Sequence, residues 1–381
     1  MTSRQRLLAA MRGEPVDRVP IWLREGFALD DPPAEADDFL RGWQADPLYH
    51  DLLDHVRPHA DSIGGWGIPC FNRKLLVPPA TMRREIVRET GDVRLTRHVV
   101  STPQGELEEL LEHRRNQNTT WHVKRLIETE DDLRKLASVP FEIDPEHIRQ
   151  SRRSCARAAE RMGDRGIIRA GISSPMVCIS GGMSLELFLE LTLTQKGWIQ
   201  ELCELVTERT LAILEAVLAD GPLDTTFNFG GSEQCTPPMT SPRGYDDFVV
   251  PYEGRIIRFL KERGYLVNVH CHGKVRHALA CMIAEGVDAT DPVEPPPQGD
   301  VTYAEARAIA GDRLTLVGNL EFSELEAETP AGISRRIREI LSHGTQRLIL
   351  AASAGPIEAV TPRLVDNYKA WIDTALAEGR G

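Results

Sequence analysis

Strand-like runs alternate with helical patterns along most of the chain, and this alternation constrains the fold more than any other feature. The runs are rich in apolar and β-branched residues and lie at 19–23, 60–67, 166–171, 224–229, 265–270, 286–290, 314–319 and 347–352. Patterns with helical spacing follow at 184–194, 196–219, 242–263, 274–285, 302–310, 330–343 and 361–378. Eight strands in alternation with helices predict an α/β fold of the (β/α)8 TIM-barrel type. A doubly wound sheet would usually carry a Gly-rich phosphate loop early in the chain, and none is present.

One segment near the N-terminus breaks the alternation. Residues 74–124 contain short runs with β-branched residues, separated by the turn signals "TGD" and "PQG". We predict an antiparallel β-hairpin insertion there. The expected organisation is therefore a single barrel domain over residues 1–381 that carries this insertion.

Composition excludes several classes of function. The chain has 381 residues and a formal net charge of −12, without a basic stripe, which argues against a nucleic-acid partner. It contains no apolar run long enough to span a membrane, and its first residues lack the apolar core of a signal peptide. The seven cysteines are scattered and form no CxxC pair, as expected for free thiols in a reducing cytosol. We expect a cytoplasmic enzyme.

Polar residues follow the predicted strands, where TIM barrels carry their chemistry. In chain order these residues are Arg24, Glu25, Gly64, Gly65, Ser173, Ser174, Gly230, Gly231, Glu233, His270, His272, Asp291, Glu294, Asn319, Glu321, Ser353 and Glu358. The sequence therefore predicts a polar ring above apolar strands. Some of its members, such as Asp291 and Ser353, are equally compatible with capping or anchoring turns.

The stretch "YLVNVHCHGK" (265–274) contains the most specific signal in this ring. Side chains two residues apart on a strand point to the same side, so His270 and His272 are expected to share one face while Cys271 packs in the core. Two such histidines can hold a metal, grip a substrate or simply hydrogen-bond to neighbouring carboxylates. The local pattern leaves these alternatives open.

Four segments resemble the uroporphyrinogen decarboxylase superfamily. They are "RLLAAMRGEPVDRVPIWLREG" (6–26), "MTSPRGYDDFVVPYEGRII" (239–257), "VGNLEFSEL" (317–325) and "SAGPIEAVTPRLVDNYKAW" (353–371). Together they extend over nearly the whole chain. The resemblance implies a (β/α)8 barrel, in agreement with the strand count.

The resemblance leaves two enzyme classes in competition. Cofactor-independent decarboxylases of the superfamily hold substrate carboxylates with arginines of an "RQAGRY" stretch and the pyrroles with an "FSDI" aspartate. Here Arg24 is kept but is followed by Glu25, the second arginine is missing, and Asp61 is the nearest substitute for the aspartate. A polycarboxylate needs several arginines, so the sequence disfavours a uroporphyrinogen decarboxylase-type lyase.

The corrinoid-linked methyltransferases of the superfamily bind zinc through a His-x-Cys strand end and a later cysteine of an "SAGC" segment. In this chain His272 replaces the cysteine of the first element, and Pro356 stands at the later position. The resemblance then implies a site of nitrogen and oxygen ligands for a divalent metal, with zinc favoured, formed by His270, His272 and Glu233. Cys235 is the alternative third ligand.

We therefore expect metal-assisted methyl transfer or demethylation of a small substrate, with Glu233 and His272 as the catalytic residues. Arg24, Glu294, Asn319 and Glu321 are the expected substrate-binding residues. A corrinoid is expected only on a separate partner protein, because this chain contains no "DxHxxG" segment. A small-molecule-binding barrel without catalysis is the third alternative, which a turnover assay would distinguish. A homodimer is compatible with the sequence.

Overall fold

The protein is described from a computed structural model that covers residues 1–68, 71–356 and 358–380. Its strands are β1 (Ile21–Trp22), β2 (Ser62–Gly67), β3 (Met82–Glu89), β4 (Val93–Thr102), β5 (Gly105–Arg114), β6 (Trp121–Lys124), β7 (Gly166–Ser173), β8 (Thr226–Gly230), β9 (Val267–His270), β10 (Ala289–Asp291), β11 (Thr315–Leu320) and β12 (Leu348–Ala352). Its helices are α1 (Ser3–Arg12), α2 (Pro47–Val56), α3 (Glu130–Ala137), α4 (Pro145–Met162), α5 (Pro175–Ser180), α6 (Leu185–Thr194), α7 (Lys196–Leu218), α8 (Arg243–Phe248), α9 (Val250–Lys261), α10 (Arg276–Glu285), α11 (Tyr303–Ala310), α12 (Phe322–Ala327), α13 (Pro330–Ser342) and α14 (Pro362–Glu378).

Eight parallel strands form the barrel. Their order is β1-β12-β11-β10-β9-β8-β7-β2, and every neighbouring pair is parallel. Each of the eight predicted strand-like runs overlaps one of these strands, and no strand extends more than two residues beyond its run. The predicted (β/α)8 TIM barrel is confirmed.

Asp61 joins the two end strands of this order. Its backbone N–H donates to the carbonyl of Ile21 at 2.7 Å, and its carboxylate accepts the N–H of Ile21 at 2.9 Å. The same carboxylate, which is fully buried, accepts hydrogen bonds from Arg6 and Arg18 at 2.7 and 2.8 Å. Asp61 precedes β2 and therefore lies at the amino end of the strands, opposite the face where substrates bind. The sequence expectation that it might contact substrate is wrong, because its oxygens close the barrel seam.

Apolar side chains fill the lower barrel. Trp22, Ile167, Val317 and Ile349 pack together from four strands. Helix α1 covers them from below with Leu7, Ala10 and Met11, so this end of the barrel is closed. The polar side chains of the strands lie above this apolar cluster, nearer the carboxyl ends of the strands.

The insertion forms a separate sheet. Strands β3 to β6 pair in sequence order and are antiparallel throughout. The turns between β3 and β4 and between β4 and β5 lie at the predicted "TGD" and "PQG" signals. The antiparallel insertion predicted within 74–124 is therefore present, starting at residue 82.

Two further expectations concern membranes and cysteines. No helix in the described ranges combines the length and the apolar character needed to cross a membrane. The cysteines at 155, 178, 203, 235, 271 and 281 are all unpaired, as predicted, and Cys70 lies outside the described residues.

Candidate active site

A layer of polar side chains lies in the barrel above the apolar cluster around Trp22. It is built by alternate residues of neighbouring strands: Arg169 on β7, Asn228 on β8, Asn268 and His270 on β9, and Asp291 on β10. The strand register places Asn228 beside Asn268, and His270 beside Asp291. Parallel pairing thus gathers these side chains at the carboxyl ends of the strands.

Asp291 is the centre of this layer. It is fully buried and accepts hydrogen bonds from Arg24 and Asn268, and its Oδ2 lies 3.1 Å from Nδ1 of His270. Burial alone would raise the pKa of Asp291, but Arg24, His270 and Arg169 together lower it well below the ordinary value. Asp291 is therefore a fixed anion that orients His270 and neutralises Arg24.

A second arginine, which is half-buried, is neutralised in a similar way. Arg169 forms an ion pair with Glu25 and donates to Oδ1 of Asn228 at 3.2 Å. The guanidinium groups of Arg169 and Arg24 lie 4.6 and 4.9 Å from the ring centroid of Trp22. Both arginines thus have carboxylate partners within the protein.

His272 is held by Glu294. Nδ1 of His272 lies 2.7 Å from Oε1 of Glu294, and the backbone N–H of Gly273 donates to Oε2 at 2.6 Å. Burial lowers the pKa of His272, but the hydrogen bond and the charge of Glu294, with a contribution from Glu233, raise it above 6.5 overall. The protonated imidazole is therefore favoured more than in an unpaired histidine, and Nε2 is the ring nitrogen that Glu294 does not contact.

Glu321 lies behind this pair. It is buried, and burial together with the charge of Glu294 raises its pKa, against a hydrogen bond from Ser353 that lowers it. Its backbone begins α12, and the hydroxyl of Ser353 accepts the N–H of Phe322 at 3.0 Å. Glu294 is thus a direct support of His272, whereas Glu321 supports Glu294 and anchors a helix.

Glu233 lines a cavity together with His272. The cavity has a volume of about 470 Å³, and its polar lining includes Arg73 and Arg125. Oε2 of Glu233 has no hydrogen-bond partner among the described residues. A Cβ atom on Gly231 would lie 2.1 Å from this oxygen, so the carboxylate as placed occupies space that a side chain at 231 would take. Opposite these groups the wall is apolar, with Met183, Leu185 and Phe188.

The two histidines are neighbours, with ring centroids 4.6 Å apart and ring planes at 87°. Both direct Nδ1 towards a carboxylate, an arrangement that often orients metal-binding imidazoles. Within the described ranges, however, neither histidine belongs to a group of three metal-binding side chains with donor atoms within 4.8 Å of one another. As arranged, His270, His272 and Glu233 do not form a three-ligand centre. Metal binding by these three residues stays a prediction.

Asn319 is engaged away from the histidines. Its amide donates to the carbonyl of Val293 and accepts from Arg336 of α13. It is buried, with 3% of its surface exposed. Asn319 therefore links the loop after β10 to a peripheral helix, and the structure gives no direct support to its expected role in substrate binding.

Sequence reasoning missed Arg169, Asn228 and Asn268. The available signal was a polar residue at an inward position of an otherwise apolar strand, two residues from another inward residue. These three residues lie within strands, whereas the sequence predicts the polar ring after the strand ends. Arg73 and Arg125 carried no local signal, since each lies in or beside the insertion and reaches the cavity only through the tertiary fold.

Comparison with known proteins assigns the chain to a family. The family model described as uroporphyrinogen decarboxylase (URO-D) matches residues 114–376. The chain belongs to the uroporphyrinogen decarboxylase family. No protein with a curated description matches this URO-D family member.

Solved structures share the fold of this URO-D family member. A methyltransferase from Methanosarcina mazei is 18% identical, with 99% of each chain covered and a TM-score of 0.60. A B12-independent methionine synthase from Shewanella sp. W3-18-1, in complex with selenomethionine, is 11% identical over 95% of each chain, with a TM-score of 0.42. At 18% identity, the first similarity supports the barrel fold alone.

Proposed function

We propose that this URO-D family protein is a methyl-transferring enzyme that demethylates a small anionic substrate in the cavity beside His272. The observation that carries the proposal is the His272–Glu294 pair in the cavity wall, with Glu233, Arg73 and Arg125 around the same space. The resemblance of the sequence to the methyltransferase branch supports this activity. The fold similarity to a protein described as a methyltransferase is compatible with this activity but shows the barrel alone.

The cavity determines the class of substrate. Its volume of about 470 Å³ lies in the range of about 300–1,000 Å³ usual for small-molecule sites. The charge of His272 is balanced by Glu294, so Arg73 and Arg125 face Glu233 alone among the charged lining residues, which favours an anion such as a carboxylate. The apolar side formed by Met183, Leu185 and Phe188 suits a methyl-bearing group.

His272 supplies the proton in this mechanism. When the methyl group leaves the substrate oxygen, nitrogen or sulfur, that atom gains electron density and needs a proton. His272 donates it from Nε2, while Glu294 holds the ring and stabilises its charge. Glu233 orients the substrate, and in the reverse direction neutral His272 takes the proton back. A corrinoid held by a separate partner protein would supply the acceptor for the methyl group.

Demethylation can be tested with reduced cobalamin in place of the partner. We would incubate the protein with methyl ethers, methylamines and thioethers that each carry one carboxylate, and quantify demethylated products by mass spectrometry. The proposal expects product from at least one class with the wild-type protein and little with His272→Ala. Equal product from both proteins would contradict the role of His272.

The pH profile of turnover should be set in part by Glu294. Because the pKa of His272 is raised, the charged acid persists above pH 6.5, and turnover should decline only as pH rises through the raised value. Glu294→Gln removes the charge that raises this pKa, so the alkaline limb of the kcat profile should move to lower pH. Glu326→Gln, on the exposed side of α12, is the control and should leave the profile unchanged. An alkaline limb at the wild-type pH in Glu294→Gln would show that Glu294 does not influence the catalytic acid.

Uroporphyrinogen should not be decarboxylated. Two arginines of the mouth, Arg24 and Arg169, are already neutralised by Asp291 and Glu25, so they offer no free charge to a polycarboxylate. Asp61 lies at the other end of the barrel. Incubation with uroporphyrinogen should yield no coproporphyrinogen by chromatography, alongside an active decarboxylase as positive control. Clear turnover would show that substrate displaces these internal ion pairs.

A further inference from the structure

Three side chains with metal-binding donors meet outside the barrel mouth, between α8 and α10. Asp246 lies on α8, and His277 and Cys281 lie one turn apart on α10, on the same face of that helix. Nε2 of His277 is 2.7 Å from Oδ1 of Asp246, and Sγ of Cys281 lies 3.8 Å from this oxygen and 3.6 Å from Nε2. In the described part of the chain, no other three metal-binding side chains place their donor atoms within 4.8 Å of one another.

These separations are close to those around zinc. Tetrahedral zinc with bonds of about 2.0–2.3 Å to nitrogen, oxygen and sulfur separates its ligand atoms by roughly 3.3–3.7 Å. The two distances from the sulfur are 3.6 and 3.8 Å, which already fit. Only the 2.7 Å contact between Asp246 and His277 must lengthen, by about 0.6 Å on this zinc geometry. A cation can replace the hydrogen-bonded proton there with a small rotation of exposed side chains.

The surroundings leave room for a further ligand. The side chains of His277 and Asp246 are 39% and 50% exposed, so solvent reaches the cluster. A cavity of about 600 Å³ adjoins Asp246 and Cys281 and is also lined by Glu285. Glu285 lies one turn beyond Cys281, and neither of its carboxylate oxygens has a hydrogen-bond partner in the described residues. Gly254 of α9 faces this carboxylate, where a Cβ atom would lie 3.2 Å from Oε1.

We propose that Asp246, His277 and Cys281 bind a divalent cation of the zinc type, with a coordination position left open beside Glu285. Mixed thiolate, imidazole and carboxylate donors suit zinc and its spectroscopic substitute Co2+ better than the hard cations Mg2+ or Ca2+. The ion would fasten α8 to α10. These helices follow β8 and β9, which carry the Glu233 loop and the histidines of the mouth. This site uses other residues than the proposed active site and does not depend on the proposed function.

Cobalt binding to the full-length protein provides the test. After removal of metals with a chelator, titration with Co2+ should give thiolate-to-cobalt charge-transfer absorption at one equivalent and raise Tm. Cys281→Ser should abolish the absorption. His277→Ala and Asp246→Asn should each weaken binding by more than the roughly 10–100-fold lost with an outer-shell partner. Wild-type protein without the absorption would overturn the proposal.

Two controls separate this site from the barrel mouth and from misfolding. His272→Ala should keep the absorption, and loss of the signal in this variant but not in Cys281→Ser would assign the ion to the mouth and overturn the proposal. Alkylation of Cys281 in the wild-type protein, followed by peptide mass spectrometry, needs no variant. Bound Zn2+ should protect this thiol, whereas equal alkylation with and without Zn2+ would again overturn it. Neither result depends on methyl transfer.

Discussion

His272→Ala should reduce turnover by about 10²–10⁴-fold, the range that a positioned acid or base contributes. The substitution removes the Nε2 atom that faces the cavity and leaves Glu294 with only the N–H of Gly273. Stability should fall by about 1–3 kcal/mol, because the side chain of His272 is 38% exposed but its partner Glu294, 10% exposed, loses a charged hydrogen-bond partner. Steady-state kinetics and urea unfolding on the same preparation measure both quantities.

Cys271→Ala is the matched control for this result. The neighbouring side chain is 1% exposed and packs in the core, so its truncation should cost about 0.5–1.5 kcal/mol of stability, as for other single buried groups. Turnover at a temperature well below Tm should remain near the wild-type value. If His272→Ala lost stability but kept turnover, the histidine would be an ordinary structural residue.

The barrel was predictable from sequence because each strand is a local signal. β12 is a continuous apolar run and β7 is one interrupted by Arg169, as expected for strands covered on both faces, and the following helices show clear apolar periodicity. Boundaries were less certain. The first helix is preceded by Thr2 and begins with Ser3, and it is the side chain of Thr2 that accepts the N–H of Gln5 and forms the cap. Two adjacent hydroxyl residues give the sequence no means of choosing between them.

The candidate site was only partly predictable. His270 and His272 share one side and Cys271 is buried, as the strand period required. The carboxylate partner of each histidine was not predictable. Asp291 contacts His270 from a neighbouring strand and Glu294 contacts His272 from a loop, and no sequence motif marks either pairing. Arg24 was expected to contact substrate, yet its guanidinium is paired with Asp291. Strand register decides which carboxylate neutralises which arginine. The patterns of a single sequence do not contain this register.

That ion pair carries the second large expected effect. Asp291→Ala should lower the free energy of unfolding by about 3–5 kcal/mol, the usual cost of removing one partner of a buried ion pair. Arg24 would keep its charge with 6% of its surface exposed, and Asn268 and His270 would lose their shared acceptor. Urea unfolding of both proteins at pH 7 measures the difference.

The pH dependence of this loss identifies the charge as its cause. The folded-state pKa of Asp291 lies below its unfolded value, so its contribution is fully present above the unfolded value of about 4 and disappears as pH falls through the folded value. The difference between the wild-type protein and Asp291→Ala should therefore narrow on acidification. Glu106→Ala, which breaks an ion pair with Arg83 whose side chains are 55% and 54% exposed, should show no measurable loss at any pH. A small effect of Asp291→Ala at pH 7 would mean that solvent or a mouth residue compensates Arg24. In that case Arg24 would be free to hold a substrate carboxylate, as the sequence originally indicated.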